Sequence, residues 1–176
     1  CSTIRCRSSL HGHSYKVELL FSSNFLDNGQ MVYDFGLMKK NMKSLIDSFD
    51  HSIAIWSGDD KEYIEDMKKH SDRWALIPVS PSAEQFSRLI FVLIDKLLSL
   101  TVPQNGEKDV KLHSVIVHET ETGYAQAFRE DAYSLNMGLI DLNKIVFSDE
   151  IQSGWHDSEL FENLKKGEKF INPKSV

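Results

Sequence analysis

Two histidines, His11 and His13, flank Gly12 in the stretch RCRSSLHGHSY near the start of the chain. In an extended backbone successive side chains alternate, so both imidazoles point the same way and could bind one metal ion. Neutral imidazole binds zinc at about 2.0 Å, and a catalytic zinc site commonly has three protein ligands and one open position. Surface or hydrogen-bonded histidines produce the same spacing, so the pair alone is a weak signal.

A cysteine precedes this pair, with four residues between Cys6 and His11. Arg5 and Arg7 flank the thiol, and neighbouring positive charge favours the thiolate, the form that acts as nucleophile or base. An ordinary exposed cysteine is the alternative. The chain has two cysteines, too few for a disulfide framework, which fits a reducing compartment.

Two further positions carry groups suited to acid–base chemistry. Asp50 and His51 follow a predicted helix, and an adjacent carboxylate can orient and charge an imidazole that activates a thiol. Glu119 ends an apolar predicted strand, where its carboxylate could accept two parallel N–H bonds from an amino-heterocycle. A helix-terminal histidine and a solvated strand-end acid are the alternatives, and taken singly they are the more common explanations.

The elements that must position these groups follow from hydrophobic periodicity. Alternating apolar side chains predict three main strands: residues 14–23, 112–119 and 124–130. Apolar residues at three- and four-residue steps predict three main helices: 35–49, 59–70 and 81–100. Weaker patterns predict a short strand at 31–33, a strand or docking segment at 139–147 and a short helix at 158–166.

Element order predicts an α+β protein, in which helices cover one face of an antiparallel sheet. A length of 176 residues fits one domain, and a further strand is expected upstream of Cys1. Open sheet edges would need covering, which neighbouring subunits could provide. The net charge of −6 and scattered basic residues argue against nucleic-acid binding. No apolar run of membrane-spanning length or signal peptide is evident, which favours a cytoplasmic protein.

Five motifs in order resemble the 6-pyruvoyl-tetrahydropterin synthase and 6-carboxy-tetrahydropterin synthase family. They are HGHSY at 11–15, MVYDF at 31–35, FDH at 49–51, PSAEQ at 81–85 and VHET at 117–120. The resemblance, which extends from residue 5 to about residue 130, implies the tunnelling fold (T-fold). In that fold the antiparallel sheets of several subunits form a barrel, commonly in a hexamer, with active sites between subunits. Residues 1–130 would form the synthase-like domain, and 131–176 a C-terminal extension packed on it.

The resemblance also implies a zinc ion held by three histidines. His11 and His13 would be two of them, and the third would lie in an N-terminal strand before Cys1. Cys6 would be the catalytic base or nucleophile that moves protons on and off the substrate.

The same resemblance implies roles for four other residues. Asp50 and His51 would be the relay partners of the thiol. Glu119 would be a catalytic-site residue that anchors the amino-pyrimidine edge of a pterin. Glu84 matches a position near the pterin pocket, and a first-turn acid favoured by the helix dipole is an equal alternative.

The implied substrate is 7,8-dihydroneopterin triphosphate, a small molecule. The preferred product is 6-carboxy-5,6,7,8-tetrahydropterin, in queuosine and deazapurine biosynthesis, by analogy with the common bacterial branch. Elimination of triphosphate to the 6-pyruvoyl product of the tetrahydrobiopterin pathway is the alternative. The four residues between Cys6 and His11 match neither the three of one branch nor the five of the other. A non-catalytic zinc- or pterin-binding homologue, or a zinc hydrolase without a thiol role, also stays open.

Overall fold

The computed structural model describes residues 9–174 of the chain. Eight strands lie within this range: β1 (Lys16–Ser22), β2 (Ile53–Trp56), β3 (Trp74–Ile77), β4 (Thr101–Val102), β5 (Lys111–His118), β6 (Tyr124–Phe128), β7 (Val146–Phe147) and β8 (Phe170–Ile171). The same range forms seven α-helices: α1 (Phe35–Met38), α2 (Asn41–Asp47), α3 (Lys61–Lys69), α4 (Ala83–Leu100), α5 (Arg129–Ala132), α6 (Asp149–Ser153) and α7 (Leu160–Lys166).

The main sheet has the strand order β1-β5-β6, and both pairings are antiparallel. Lys16 pairs with His118 at one end of the β1–β5 ladder, and Ser22 pairs with Lys111 at the other. The alternating pattern places Val115 and Val117 of β5 on the buried face, where both are 0 % exposed. The predicted mixed α+β class with an antiparallel sheet is confirmed.

Helix α4 covers that buried face and forms the centre of the core. It begins at the predicted place because the Ser82 side chain accepts a hydrogen bond from the Gln85 amide at 3.3 Å. Its fully buried aliphatic residues are Leu89, Leu93, Ile94 and Leu97. Burying such a side chain contributes about 1.5–3 kcal/mol, so α4 and β5 together fix the position of the sheet.

Two smaller sheets contain parallel pairs that the sequence analysis did not predict. Strands β2 and β3 are parallel, with β7 antiparallel on the other side of β3, and β4 pairs in parallel with β8. Helix α3 forms the crossover that a parallel β2–β3 connection requires. With four residues each, β2 and β3 are too short for periodicity to separate them from other apolar runs.

The single helix predicted over 35–49 is wrong, because α1 and α2 are separate. Lys40 has φ −102° and ψ −106°, which is outside the helical region and interrupts the hydrogen-bond ladder. The periodicity continues across the break because Leu37, Met42 and Leu45 are all buried in the same core.

Two weak strand predictions are also corrected. Residues 31–33 form a bend, because the Asp27 carboxylate accepts hydrogen bonds from the amides of Gly29 and Met31 and curls the chain. Within 139–147 only β7 is a strand. The Asp141 side chain accepts a hydrogen bond from the Asn143 amide and favours a 3-10 turn before β7.

The C-terminal segment packs on the rest of the chain in two places. The buried indole of Trp155 donates a hydrogen bond from Nε1 to Ser48 Oγ at 2.8 Å. Strand β8 extends the contact with β4, and the Asn172 amide donates to the hydroxyl of Tyr33 at 3.1 Å. Across residues 9–174, the helices lack the combination of length and apolar character that a membrane span requires.

Candidate functional site

The histidine pair lies directly before β1. The ring centroids of His11 and His13 are 4.8 Å apart in an edge-to-face arrangement. His11 Nδ1 lies 2.8 Å from the Ser9 carbonyl oxygen, which can only accept, so Nδ1 carries the proton. That contact leaves the lone pair of the neutral ring on Nε2, the tautomer that a metal ligand of this kind uses.

Glu119 completes a cluster with this pair. Because Lys16 pairs with His118, the residues before β1 and after β5 meet at one end of the sheet. His13 Nδ1 lies 3.4 Å from Glu119 Oε1, and the two side chains are 27 % and 39 % exposed. The cluster therefore joins two imidazoles and one carboxylate at a place that a small molecule can reach.

A row of aromatic rings packs against the cluster on the side that faces α4. The ring of Tyr15 lies 5.5 Å from His13 and 5.3 Å from Phe86, which extends from α4. Phe86 in turn contacts Phe49 at 5.4 Å, and Phe49 contacts Phe147 at 5.8 Å, both edge to face. Such contacts fix ring orientation, so the row connects the histidine pair to the residue immediately before Asp50.

Asp50 and His51 form a second pair at the other end of this row. His51 Nδ1 lies 3.0 Å from Asp50 Oδ1, and the side chains are 88 % and 71 % exposed. His51 has φ +48°, in the left-handed region that residues other than glycine rarely adopt. A carboxylate in this position can orient the imidazole.

Glu84 lies in the first turn of α4 and is exposed. An acid at this position is favoured by the helix dipole, which is sufficient to explain it structurally. Its proposed place near a pterin stays a prediction. Cys6, the predicted catalytic thiol, lies outside the described residues.

The opposite face of the sheet carries a different charged cluster. Lys16 Nζ lies 2.5 Å from Glu18 Oε1, and His118 Nε2 lies 3.1 Å from the same oxygen. The hydrogen bond and charge of Lys16, followed by the contact with His118, hold the pKa of Glu18 below its ordinary value. His118 is the last residue of β5 and Glu119 follows it, and neighbouring side chains of an extended chain point to opposite faces. The sheet therefore separates this cluster from the histidine pair.

The described residues fit part of a zinc site. Neighbouring imidazoles are ordinary zinc ligands, and both are held from one strand end. Within residues 9–174, however, no three histidine, cysteine, aspartate or glutamate side chains form a group that could hold a metal ion. His11 and His13 therefore suit two ligand positions of a zinc site, and the described residues supply no third.

Sequence reasoning identified the members of both pairs but missed what holds them. In the sequence, Phe49 and Phe86 are apolar positions of predicted helices, and Tyr15 is one apolar position of a predicted strand. Arg73 donates to the turn before His51. Its neighbours in the sequence do not indicate this contact, because it is a single arginine that precedes a short strand. Its partners are 23 and 26 positions away along the chain.

The fold and this cluster define an α+β protein with two neighbouring imidazoles and a carboxylate at one end of an antiparallel sheet. Residues 2–130 match the family model of 6-pyruvoyl tetrahydropterin synthase. Because this match covers most of the chain, the chain belongs to that family, and the predicted class of enzyme is confirmed.

Individual relatives agree with this assignment. A protein of Helicobacter pylori strain J99 named 6-carboxy-5,6,7,8-tetrahydropterin synthase is 36 % identical over 170 residues, which is 96 % of this chain and 85 % of that protein. A protein of the same name from Aquifex aeolicus is 33 % identical over 122 residues, covering 67 % of this chain and 73 % of the other.

One solved structure has a similar fold. A crystal structure of an uncharacterized protein from Wolinella succinogenes aligns with a TM-score of 0.54 at 21 % identity. The alignment covers 73 % of this chain and 83 % of that chain. At this identity the similarity supports the fold alone.

Proposed function

We propose that the chain converts 7,8-dihydroneopterin triphosphate to 6-carboxy-5,6,7,8-tetrahydropterin in a zinc-dependent reaction, as part of queuosine and deazapurine biosynthesis. The observation that carries the proposal is the cluster of His11, His13 and Glu119 at the end of the sheet. The names of the two relatives favour the 6-carboxy product over the 6-pyruvoyl product.

In this proposal His11 and His13 hold the zinc, and the third histidine comes from the N-terminal strand expected before Cys1. The Ser9 carbonyl fixes the tautomer of His11, and Tyr15 fixes the ring of His13. When bound, zinc supplies Lewis-acid polarisation of the side-chain oxygens of the substrate.

The remaining residues bind the pterin and move protons. Glu119 is exposed enough to accept two N–H bonds from the amino-pyrimidine edge, with Glu84 as a second candidate contact. The Cys6 thiolate takes protons from the substrate side chain and returns them. Asp50 orients the His51 imidazole, which serves as the base partner that activates the thiol.

We also propose that several subunits join their sheets into a barrel, most simply as a hexamer, with active sites between them. In the described part of the chain, β1 and β6 are the edges of the main sheet. Unpaired strand edges favour pairing with another chain, which supports this arrangement. Cytoplasmic location stays a prediction.

The test is incubation of the full-length protein with 7,8-dihydroneopterin triphosphate, followed by mass spectrometry of the product. We expect the mass of the 6-carboxy product. Cys6→Ala is expected to lower turnover by about 10²–10⁴-fold, the usual contribution of a general base, while bound zinc is retained. His13→Ala is expected to lower zinc content as well.

His70→Ala is the matched control for His13→Ala, because His70 is an exposed histidine at the end of α3. It should retain wild-type zinc and turnover. A product with the mass of the 6-pyruvoyl compound would contradict the proposed activity and support the alternative one. Zinc binding without any turnover would support a binding homologue, and full activity of Cys6→Ala would support a zinc hydrolase.

A further inference from the structure

The turn that carries Asp50 and His51 is held from behind by one side chain. Arg73 donates from Nε to the Asp50 carbonyl oxygen at 3.1 Å and from Nη2 to the Asp47 carbonyl oxygen at 2.9 Å. The planar guanidinium offers two donors in fixed relative positions, which an ammonium group cannot reproduce. The two ends of the turn are therefore kept at a set separation.

This turn follows the C-terminal end of α2, where backbone carbonyls lack partners within the helix and carry partial negative charge. The Asp47 carbonyl accepts from the Asp50 amide at 3.0 Å as well as from Arg73. A cation at this end neutralises the helix dipole. Arg73 thus suits both the geometry and the electrostatics of the turn.

His51 needs such support because its backbone has φ +48°. Histidine adopts this left-handed region more often than most residues, but still at a conformational cost. Neither contact of Arg73 is with the His51 backbone itself. Both lie upstream of it, so Arg73 determines the direction in which the chain enters this strained residue.

Arg73 is itself held in place. Its carbonyl oxygen accepts from the Ile53 amide at 2.9 Å and from the Ser71 hydroxyl at 2.9 Å, directly before the β2–β3 ladder starts. The turn leads directly into β2, and Arg73 directly precedes β3. The pairing of β2 with β3 therefore holds both the Arg73 backbone and the end of the turn. On the other side, Trp155 holds Ser48 by a buried hydrogen bond.

We propose that Arg73 is a positioning residue for the reaction, which sets the orientation of the Asp50 and His51 pair by holding the carbonyls of Asp47 and Asp50. The inference rests on the proposed function, in which this pair activates the thiol. Arg73 acts through the turn, and two of its nitrogens donate to the backbone.

The test compares Arg73→Met and Arg73→Lys with the wild type in the full-length protein. We expect Arg73→Met to lower kcat by about 10–100-fold, since misplacement of a catalytic group by about 1 Å has effects of this size. KM is expected to change by less than about threefold, because the pterin contact is elsewhere. Millimolar guanidinium should restore part of kcat in Arg73→Met, and Arg73→Lys should be intermediate.

Arg129→Met is the matched control, because Arg129 pairs with Asp95 on the far side of α4 and is 66 % exposed. It should leave kcat unchanged and show no response to guanidinium. Amide hydrogen exchange of residues 48–53 provides a measurement without substrate. We expect exchange about tenfold faster in Arg73→Met, as for a turn that opens more often, and wild-type exchange in the control.

The outcomes separate this inference from the proposed function. Unchanged exchange in Arg73→Met, or faster exchange with unchanged kcat, overturns the positioning role even if the wild type is active. Loss of kcat that guanidinium does not restore at all, with KM raised in parallel, also overturns it. If the wild type does not turn over the substrate, the proposed function is refuted. A faster-exchanging turn in Arg73→Met would then show a structural role of Arg73 and overturn its role in the reaction.

Discussion

Replacement of Arg88 by methionine is expected to destabilise the fold strongly. Arg88 extends from α4, is 3 % exposed and donates to the segment that follows β6. Its four shortest hydrogen bonds to backbone carbonyls, at 2.6–3.1 Å, are with Asp131, Ser134, Met137 and Gly138. It also donates to the Ala132 carbonyl at 3.5 Å and to Gln85 Oε1 at 2.6 Å. Burial lowers the pKa of the guanidinium, and the charge of Asp131 opposes that shift. Arginine still remains protonated at neutral pH.

The expected magnitude follows from these contacts. Each hydrogen bond contributes about 1 kcal/mol net, so the loss of four predicts a decrease of about 4 kcal/mol in the free energy of unfolding. For a chain of this size each kcal/mol corresponds to about 2–4 °C, which predicts a Tm lower by about 8–16 °C. Methionine keeps most of the length of the side chain, so the substitution leaves only a small cavity. The decrease in the free energy of unfolding therefore measures mainly the lost hydrogen bonds.

Denaturant unfolding followed by circular dichroism is the assay, and Arg129→Met is the control. Arg129 is also an arginine, but it is 66 % exposed and forms one ion pair, with Asp95 at 2.7 Å. The guanidinium is exposed, whereas the Asp95 carboxylate is 13 % exposed and also accepts from the Tyr133 hydroxyl. The pair should contribute up to about 1 kcal/mol, so the control should differ little from wild type. If the two variants agree within about 1 kcal/mol, the argument that Arg88 holds this segment is wrong.

Two further variants test other contacts. Trp155→Phe removes the indole donor to Ser48 and should cost about 1 kcal/mol in denaturant unfolding, with a smaller cost when Ser48→Ala is already present. Desolvation raises the pKa of Glu107, but hydrogen bonds from backbone amides, Asn105 and Asn172 outweigh it. The net effect holds the pKa of Glu107 below its ordinary value. Its ionised form therefore stabilises the fold above the unfolded-state pKa, and this stabilisation is lost as pH falls through the folded-state pKa. Denaturant unfolding should decline less steeply below about pH 4.5 in Glu107→Gln than in wild type, and equal slopes would contradict this.

Much of the candidate site was accessible from the sequence because its members have recognisable types at short spacing. His11 and His13 are two residues apart before an alternating strand, and Asp50 and His51 are adjacent after a helical pattern. Glu119 required one additional step, since its meeting with His13 depends on the pairing of β1 with β5. The roles of all five residues in catalysis stay predictions.

The sequence by itself determined the main strands, the long helix α4 and the residue types available for chemistry. Local periodicity shows which side of an element is apolar, and capping depends on residues a few positions apart. Only the tertiary structure decided the parallel pairing of β2 with β3 and the break between α1 and α2. It also decided the contacts of Arg73 and Arg88, because a guanidinium finds its carbonyls across 23 to 50 positions of chain. Nothing in the local pattern encodes such distant partners.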